Sequence, residues 1–150
     1  MIRAIVTLGF IGLAPTAPGT FGSAAALLLG LLVHIALGWT GFALLWALLT
    51  LLGWWATAQH SARTQTHDAG EIVIDELSGQ WLAMIPALAL APGQIWPLVA
   101  AFVLFRAFDI TKPGPIGTAD RWHTPLGVML DDVLAGLAAA AVLGLVLWIT

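Results

Sequence analysis

The sequence predicts an all-α fold, a polytopic membrane bundle of about four to five helices with an acidic site at its cytoplasmic face. Hydrophobic residues make up 60% of the 150 residues, charged residues make up 9%, and the mean hydropathy is +0.97. Soluble domains contain ~25% charged residues. All eight carboxylates lie between Asp68 and Asp132, whereas residues 24–62 and 133–150 carry no charge. We therefore expect one membrane-embedded domain, residues 1–150, with a single acidic site.

Apolar runs separated by turn residues predict the individual helices. The predicted helices are, in order, residues 23–37, 42–58, 81–91, 95–108 and 128–148. Glycines favour a tight hairpin at residues 38–41, and Pro92 and Gly93 favour a second turn at residues 92–94. The last run is the best candidate for a full span, because ~20 apolar residues are needed to cross the hydrocarbon core.

The basic residues predict the orientation of the chain. If the chain reverses at residues 38–41 and 92–94, one side of the membrane receives every basic residue: Arg3, Arg63, Arg106, Lys112 and Arg121. The positive-inside rule places that side in the cytoplasm. The carboxylates lie on the same side, so we expect the acidic site to face the cytoplasm.

A segment rich in proline and glycine, APTAPGTFGS at residues 14–23, precedes the first predicted helix. Glycines let backbone N–H groups approach a ligand, and Ser23 is placed to cap a helix whose N-terminus favours an anion. This pattern predicts a phosphate site. The alternative is a plain turn followed by a helix cap.

The second polar segment, residues 67–80, contains a pair of carboxylates at helical spacing. If the chain is helical from Glu71 onward, Glu71 and Asp75 share one face and could hold a hard cation, while Glu76 points about 100° away. Apolar neighbours such as Ile72 and Leu77 press this pair against hydrophobic surroundings. A cation site is therefore favoured over a solvated amphipathic turn.

The third polar region combines carboxylates with basic residues. Asp109, Asp131 and Asp132 offer only oxygen ligands, which suit Mg²⁺ or Mn²⁺. Arg106 and Lys112 flank Asp109, and fixed cations beside a metal can hold a phosphoryl group while its charge shifts to a leaving oxygen. The alternative is that the basic residues only pair with neighbouring acids.

Other features limit the functional classes. The chain has no Cys, which excludes disulfides and cysteine-based phosphatase chemistry. A net charge of −3 without a basic stripe argues against a nucleic-acid partner. A divalent-cation transporter is disfavoured because the predicted far-side turns carry no acid to serve as an exit ligand. A structural membrane subunit would leave the carboxylates without a purpose.

Four ordered blocks cover nearly the whole chain: PTAPGTFGS (15–23), IDELSG (74–79), FRAFDITKPGPI (105–116) and GVMLDDVLAG (127–136). Together they resemble the phosphatidylglycerophosphatase A family. The resemblance implies an all-helical, Mg²⁺-dependent lipid phosphatase of the bacterial inner (cytoplasmic) membrane. It also implies a reaction, the removal of the terminal phosphate of phosphatidylglycerophosphate to give phosphatidylglycerol.

Carried onto matching positions, the resemblance implies the roles of individual residues. The implied metal centre comprises Asp75, Glu76, Asp109, Asp131 and Asp132, with Glu71 as an addition. The implied substrate-binding residues are Thr20, Ser23, Arg106 and Lys112, and the catalytic candidates are Asp75, Asp109, Lys112 and Asp131. Which carboxylate is ligand and which is base stays open. We expect direct attack by a metal-activated water, with a covalent aspartyl phosphate as the alternative.

Overall fold

The computed structural model describes residues 1–66 and 69–149 as a bundle of helices. The helices are α1 (Ile2–Val6), α2 (Pro18–Thr64), α3 (Ile74–Ala83), α4 (Ile85–Leu90), α5 (Ile95–Thr111), α6 (Pro115–Asp120) and α7 (Pro125–Ile149), with a 3₁₀ turn at Ile11–Leu13. No β-strand occurs among these described residues, so the all-α prediction is confirmed. Asp68, the first carboxylate of the sequence, lies outside them.

Helix α2 is a hairpin of two arms that meet at Gly38. Gly38 has φ 63° and ψ −165°, a conformation that is accessible essentially only to glycine. The first arm, residues 18–37, reaches Trp81 in the second half of α3 through Gly30. The second arm, residues 39–64, contacts α3 in reverse order, because Trp46 donates to the Ser78 carbonyl at 3.0 Å and Gly53 reaches Ile74. The arms are therefore antiparallel, and the predicted hairpin is confirmed.

The helix boundaries differ from the prediction where polar residues enter the helices. The first arm begins at Pro18 rather than at residue 23, since proline is well suited to the first turn of a helix. The predicted helix at residues 81–91 is wrong, because α3 already begins at Ile74 and a new helix starts at Ile85. Pro86 lacks the N–H group that a continuous helix would need there.

Helix α3 lies at the centre of the bundle, in backbone contact with α7. A Cβ atom on Gly136 of α7 would collide with the Gly79 carbonyl, and one on Gly79 would collide with the Asp132 carbonyl. Small residues commonly permit such close approach between helices in membranes. This contact brings the N-terminal half of α3 beside the N-terminal half of α7, where the acidic residues of both helices lie.

Helices α2 and α7 are long and apolar enough to cross a membrane, by length and composition. Their outward side chains are large, apolar and exposed, and Leu32, Leu48 and Leu145 are each more than half exposed. An apolar surface of this extent is typical of a protein that contacts lipid. These two helices suggest membrane association.

Candidate active site

Three carboxylates from three different helices meet at one end of the bundle. One oxygen each from Glu76 of α3, Asp109 of α5 and Asp132 of α7 lies within 4.8 Å of the other two. Opposite ligands of an Mg²⁺ ion with bonds of ~2.1 Å lie ~4.2 Å apart. The spacing of these three residues, here called the acidic triad, is therefore close to that of ligands around one hard cation.

The surroundings of the acidic triad also fit a cation. Asp132 Oδ2 is buried and has no hydrogen-bond donor among the described residues. Burial raises the pKa of Glu76 to about 7, and the nearby Asp109 carboxylate adds to this effect, although Arg106 and Ser23 oppose it. Carboxylates crowded in this way are stabilised by sharing a cation, so the triad could bind a metal ion.

Arg106 of α5 contacts two members of the acidic triad. Its Nη1 atom donates to both carboxylate oxygens of Glu76 at 2.6 Å and lies 2.7 Å from Asp109 Oδ2. Arg106 and Asp109 lie three residues apart on α5, so both side chains face the triad. The guanidinium thus adds positive charge beside the cluster, where it can also bind an anion.

The proline- and glycine-rich segment reaches the same site from α2. Ser23 Oγ lies 2.7 Å from Glu76 Oε2 and 2.8 Å from the Gly19 carbonyl, and its single proton can serve only one of them at a time. The prediction that Ser23 caps the helix is wrong, because the helix starts five residues earlier and Ala17 occupies the cap position. A Cβ atom on Gly19 would meet Glu76 Oε1, so a larger residue there would push this carboxylate oxygen aside.

Lys112 organises a second group of charges. It ends α5 in a left-handed conformation with φ 45°. Its Nζ atom donates to Asp120 and, at 2.7 Å, to Asp131 Oδ2. Desolvation alone would lower the pKa of Lys112, but these two carboxylates raise it, so the ammonium stays charged. Asp131 faces Lys112 whereas Asp132 faces the triad, because successive residues of a helix point about 100° apart.

A cavity of about 490 Å³ joins the two groups. Its lining includes the predicted residues Asp75, Glu76, Arg106, Asp109, Lys112, Asp131 and Asp132. Pro18 and Gly19 border it from α2, and Asp120 borders it from α6. The volume lies within the usual range for small-molecule sites, ~300–1,000 Å³. The cavity therefore has room for a phosphate ester surrounded by both charge types.

Three predicted site residues do not line the cavity: Ser23, which contacts Glu76, and also Thr20 and Glu71. Thr20, in the first turns of α2, is not among the described residues that line the cavity. The Glu71 carboxylate lies 2.7 Å from Arg3 Nη2 and 3.1 Å from His60 Nε2. The predicted helical pair of Glu71 and Asp75 is wrong, because α3 begins only at Ile74.

The backbone around residue 73 explains this late helix start. Val73 has φ −144° and ψ 13°, outside the helical region, and its N–H group donates to the Val6 carbonyl at 2.8 Å. Helix α1 thus holds the preceding segment in an irregular conformation.

The sequence-based prediction overlooks one charged residue of the cavity, Asp120. This residue lies in the same polar region as its partner Lys112, eight residues earlier.

Comparison with known proteins identifies the family. The chain matches phosphatidylglycerophosphatase A over residues 4–147. It belongs to that family. Phosphatidylglycerophosphatase A of Haemophilus influenzae is 40% identical over 141 residues, covering 92% of this chain and 84% of the relative. The Escherichia coli phosphatidylglycerophosphatase A is 39% identical over 142 residues, covering 93% and 80%.

A protein of Bacteroides thetaiotaomicron, provisionally named a phosphatidylinositol-3-phosphatase, is 36% identical over 146 residues, covering 92% of this chain and 88% of the relative. No solved structure matches the chain. The family predicted from the four sequence blocks is thus confirmed. Family membership makes the chain a phosphatidylglycerophosphatase, a phosphoric monoester hydrolase, rather than a transporter or a structural subunit.

Replacing Glu71 tests whether this residue stabilises the fold from outside the cavity. Its hydrogen bond with Arg3 is the main reason why the pKa of Glu71 is lowered. The pKa of Glu71 is lower in the folded protein than in the unfolded chain, where it is 4.5, so the ionised carboxylate stabilises the fold above pH 4.5. This stabilisation is lost as the pH falls through the pKa of the folded state. We expect Glu71→Gln to lower the free energy of unfolding at pH 7 by ~1 kcal/mol or less, and by less still once the pH falls through the lowered pKa of Glu71.

The same variant is expected to retain phosphate release. Thermal unfolding in detergent at several pH values, together with a phosphate-release assay, measures both properties. If Glu71→Gln instead lost activity that extra Mg²⁺ restored, Glu71 would belong to the metal site.

Proposed function

We propose that the acidic triad binds Mg²⁺ and that the chain hydrolyses the terminal phosphate monoester of phosphatidylglycerophosphate, giving phosphatidylglycerol and inorganic phosphate. The observation that carries the proposal is the convergence of Glu76, Asp109 and Asp132 within 4.8 Å, with Arg106 beside them. The names of the Haemophilus influenzae and Escherichia coli relatives support the substrate. Mg²⁺ bound at the triad would lower the pKa of a water molecule and withdraw charge from the phosphoryl group.

The surrounding residues divide the remaining tasks. Arg106 is placed to donate to phosphate oxygens through its planar fork of N–H groups. Lys112 keeps Asp131 oriented at the cavity wall, outside the triad, so Asp131 is a candidate acceptor for the proton of the attacking water. Asp75 also lines the cavity, and its Oδ1 atom accepts from the Glu76 N–H group at 2.9 Å, which helps to position Glu76.

We expect phosphate release from phosphatidylglycerophosphate in detergent to require a hard divalent cation. EDTA should abolish the release of inorganic phosphate, and Mg²⁺ or Mn²⁺ should restore it, because the triad offers oxygen ligands only. Full activity in metal-free buffer, or restoration by Zn²⁺ alone, would contradict the oxygen-ligated site. Phosphatidylinositol 3-phosphate should be tested in the same assay. A higher kcat/KM for this lipid than for phosphatidylglycerophosphate would make it the preferred substrate in place of phosphatidylglycerophosphate.

We further propose that the protein is a polytopic protein of the bacterial inner membrane whose active site faces the cytoplasm. The charge distribution supports this orientation. Arg106 and Lys112 border the cavity, and Arg3 binds Glu71 in the turn before α3, whereas the reversal at Gly38 carries no charged residue nearby. The positive-inside rule assigns the basic end to the cytoplasm.

Cysteine labelling tests the orientation cleanly because the natural chain contains no Cys. Thr40→Cys and Gln94→Cys place a thiol at exposed positions near the two uncharged turns, and Thr118→Cys places one at an exposed position near the cavity. An impermeant thiol reagent added to intact spheroplasts is expected to label the first two variants and spare the third. After permeabilisation all three should react. The reverse pattern would place the active site outside the cell.

A further inference from the structure

An apolar groove of about 400 Å³ runs between the first arm of α2 and helix α5. Its walls include Ala24, Leu27 and Leu31 from α2 and Leu98, Val99 and Phe102 from α5. Every residue that lines it is hydrophobic. At a rise of 1.5 Å per residue, the α2 wall is ~10 Å long. The groove therefore has the length and the chemistry to hold several methylene groups in a row.

The groove begins within one helical turn of the candidate active site. Ala24 directly follows Ser23 on α2, and Phe102 and Val99 lie four and seven residues before Arg106, on the same face of α5. Ser23 Oγ and Arg106 Nη1 lie 3.3 Å apart between the groove and the cavity. A ligand held by Arg106 at the cavity would therefore have to extend by only about one helical turn to reach the groove.

A second apolar groove provides a comparison. It measures about 410 Å³ and lies between the second arm of α2 and helix α7, with Leu51, Trp54 and Val133 in its walls. The second arm contributes none of the described residues that line the cavity. The two grooves therefore match in size and polarity, but only the first has both of its helices leading to the site.

We propose that the groove between the first arm of α2 and helix α5 binds one acyl chain of the phospholipid whose phosphate occupies the cavity. This inference rests on the proposed function. The required ligand carries a phosphate monoester at one end and a hydrocarbon chain at the other, joined by a polar linker. A phospholipid phosphate monoester meets this description, whereas a second copy of the chain would fill the groove without using the adjoining cations.

Photo-crosslinking tests occupancy without depending on catalysis. The probe is phosphatidylglycerophosphate with a diazirine in one acyl chain, bound to the whole protein in detergent without added metal, and mass spectrometry locates the adducts. We expect adducts at Leu27 or Val99 that unlabelled phosphatidylglycerophosphate displaces and phosphatidylcholine with the same chains does not. Equal labelling near Val133, or displacement by either lipid, would indicate general lipid contact and overturn the proposal.

A substitution pair tests the effect on substrate choice. Ala24→Phe fills the groove, so kcat/KM for a long-chain substrate is expected to fall about tenfold or more, while that for a dihexanoyl substrate changes less than about twofold. Val133→Phe fills the comparison groove and is expected to leave the ratio of the two substrates unchanged. Val99→Trp, at a position that is 54% exposed on the groove rim, repeats the test if Ala24→Phe folds poorly.

Equal losses on both substrates, or no loss in either groove variant, would overturn the proposal. A second result would also overturn it: the protein is a dimer, Ala24→Phe converts the dimer to monomers, and no specific crosslink forms. In that case a second copy of the chain would occupy the groove. Failure of the proposed function is distinguishable from these outcomes: no substrate would release phosphate, yet the displaceable crosslink would remain.

Discussion

Replacing any member of the acidic triad by its amide is expected to reduce turnover by ~10²-fold or more. Glu76→Gln, Asp109→Asn and Asp132→Asn preserve side-chain shape, but each removes a charge that the proposed metal ion and the developing transition state would require. The effect should be especially clear for Asp132, because its buried Oδ2 atom has no donor among the described residues and would be free to bind a cation. Steady-state phosphate release in saturating Mg²⁺ measures the loss.

Thermal unfolding separates a lost ligand from a lost fold. Binding to the native state raises the free energy of unfolding as RT ln(1 + [L]/Kd), so Mg²⁺ should stabilise the natural protein. Asp132→Asn should lose most of that stabilisation, yet remain folded without metal because like-charge repulsion is relieved. Folded triad variants with near-native turnover would show that these carboxylates do not serve catalysis.

Acidic residues outside the triad provide matched controls. Asp120→Asn removes a carboxylate of the same cavity that pairs with Lys112, and it is expected to keep the stabilisation by Mg²⁺. Asp131→Asn should also keep that stabilisation but lose turnover, if Asp131 accepts the proton of the attacking water. Loss of both properties in Asp131→Asn would instead make it a metal ligand, as the family resemblance implies.

Gly136→Ala is expected to destabilise the protein by ~1–3 kcal/mol or more and to abolish most activity. The added Cβ atom would collide with the backbone carbonyl of Gly79, which cannot rotate away as a side chain can. Helices α3 and α7 must therefore separate. Because Glu76 and Asp132 lie on these two helices, the acidic triad should open and the stabilisation by Mg²⁺ should weaken.

Gly144→Ala on the same helix is the control for this prediction. A Cβ atom there would meet its nearest neighbour, Pro86, at 3.7 Å, which is ordinary van der Waals contact. Alanine is more favourable than glycine inside a helix by ~0.5–1 kcal/mol, so this variant should be as stable as the natural protein or more stable. Equal stability of the two variants would show that α3 and α7 tolerate more space than their backbone contact implies.

The all-α class and the positions of the main turns could be predicted from residue order. Hydropathy is a property of each segment, and the reversals at Gly38 and Gly93 need only residues that tolerate positive φ. The predicted charged residues other than Glu71 line the cavity for a similar reason. Charged groups in so apolar a chain must gather where they can be paired, so Arg106 and Lys112 were expected beside carboxylates.

Local patterns failed where distant contacts determine the backbone. The spacing of Glu71 and Asp75 suits a helix, but the hydrogen bond from Val73 to Val6 delays the start of α3. Glu71 then pairs with Arg3, 68 residues earlier, and lies beside His60 at the end of α2. Such pairings depend on how α1 and the second arm of α2 pack, and neither propensity nor periodicity contains that information.

The selection of three carboxylates from the predicted acidic set depends on helix rotation. Asp131 and Asp132 are equivalent in sequence patterns, yet they point about 100° apart. The backbone contact between Gly79 and Gly136 sets the rotation of α7 against α3, and it turns Asp132 toward Glu76 while leaving Asp131 to Lys112. The sequence supplies the candidate ligands, and the packing of helices that are distant in sequence selects among them.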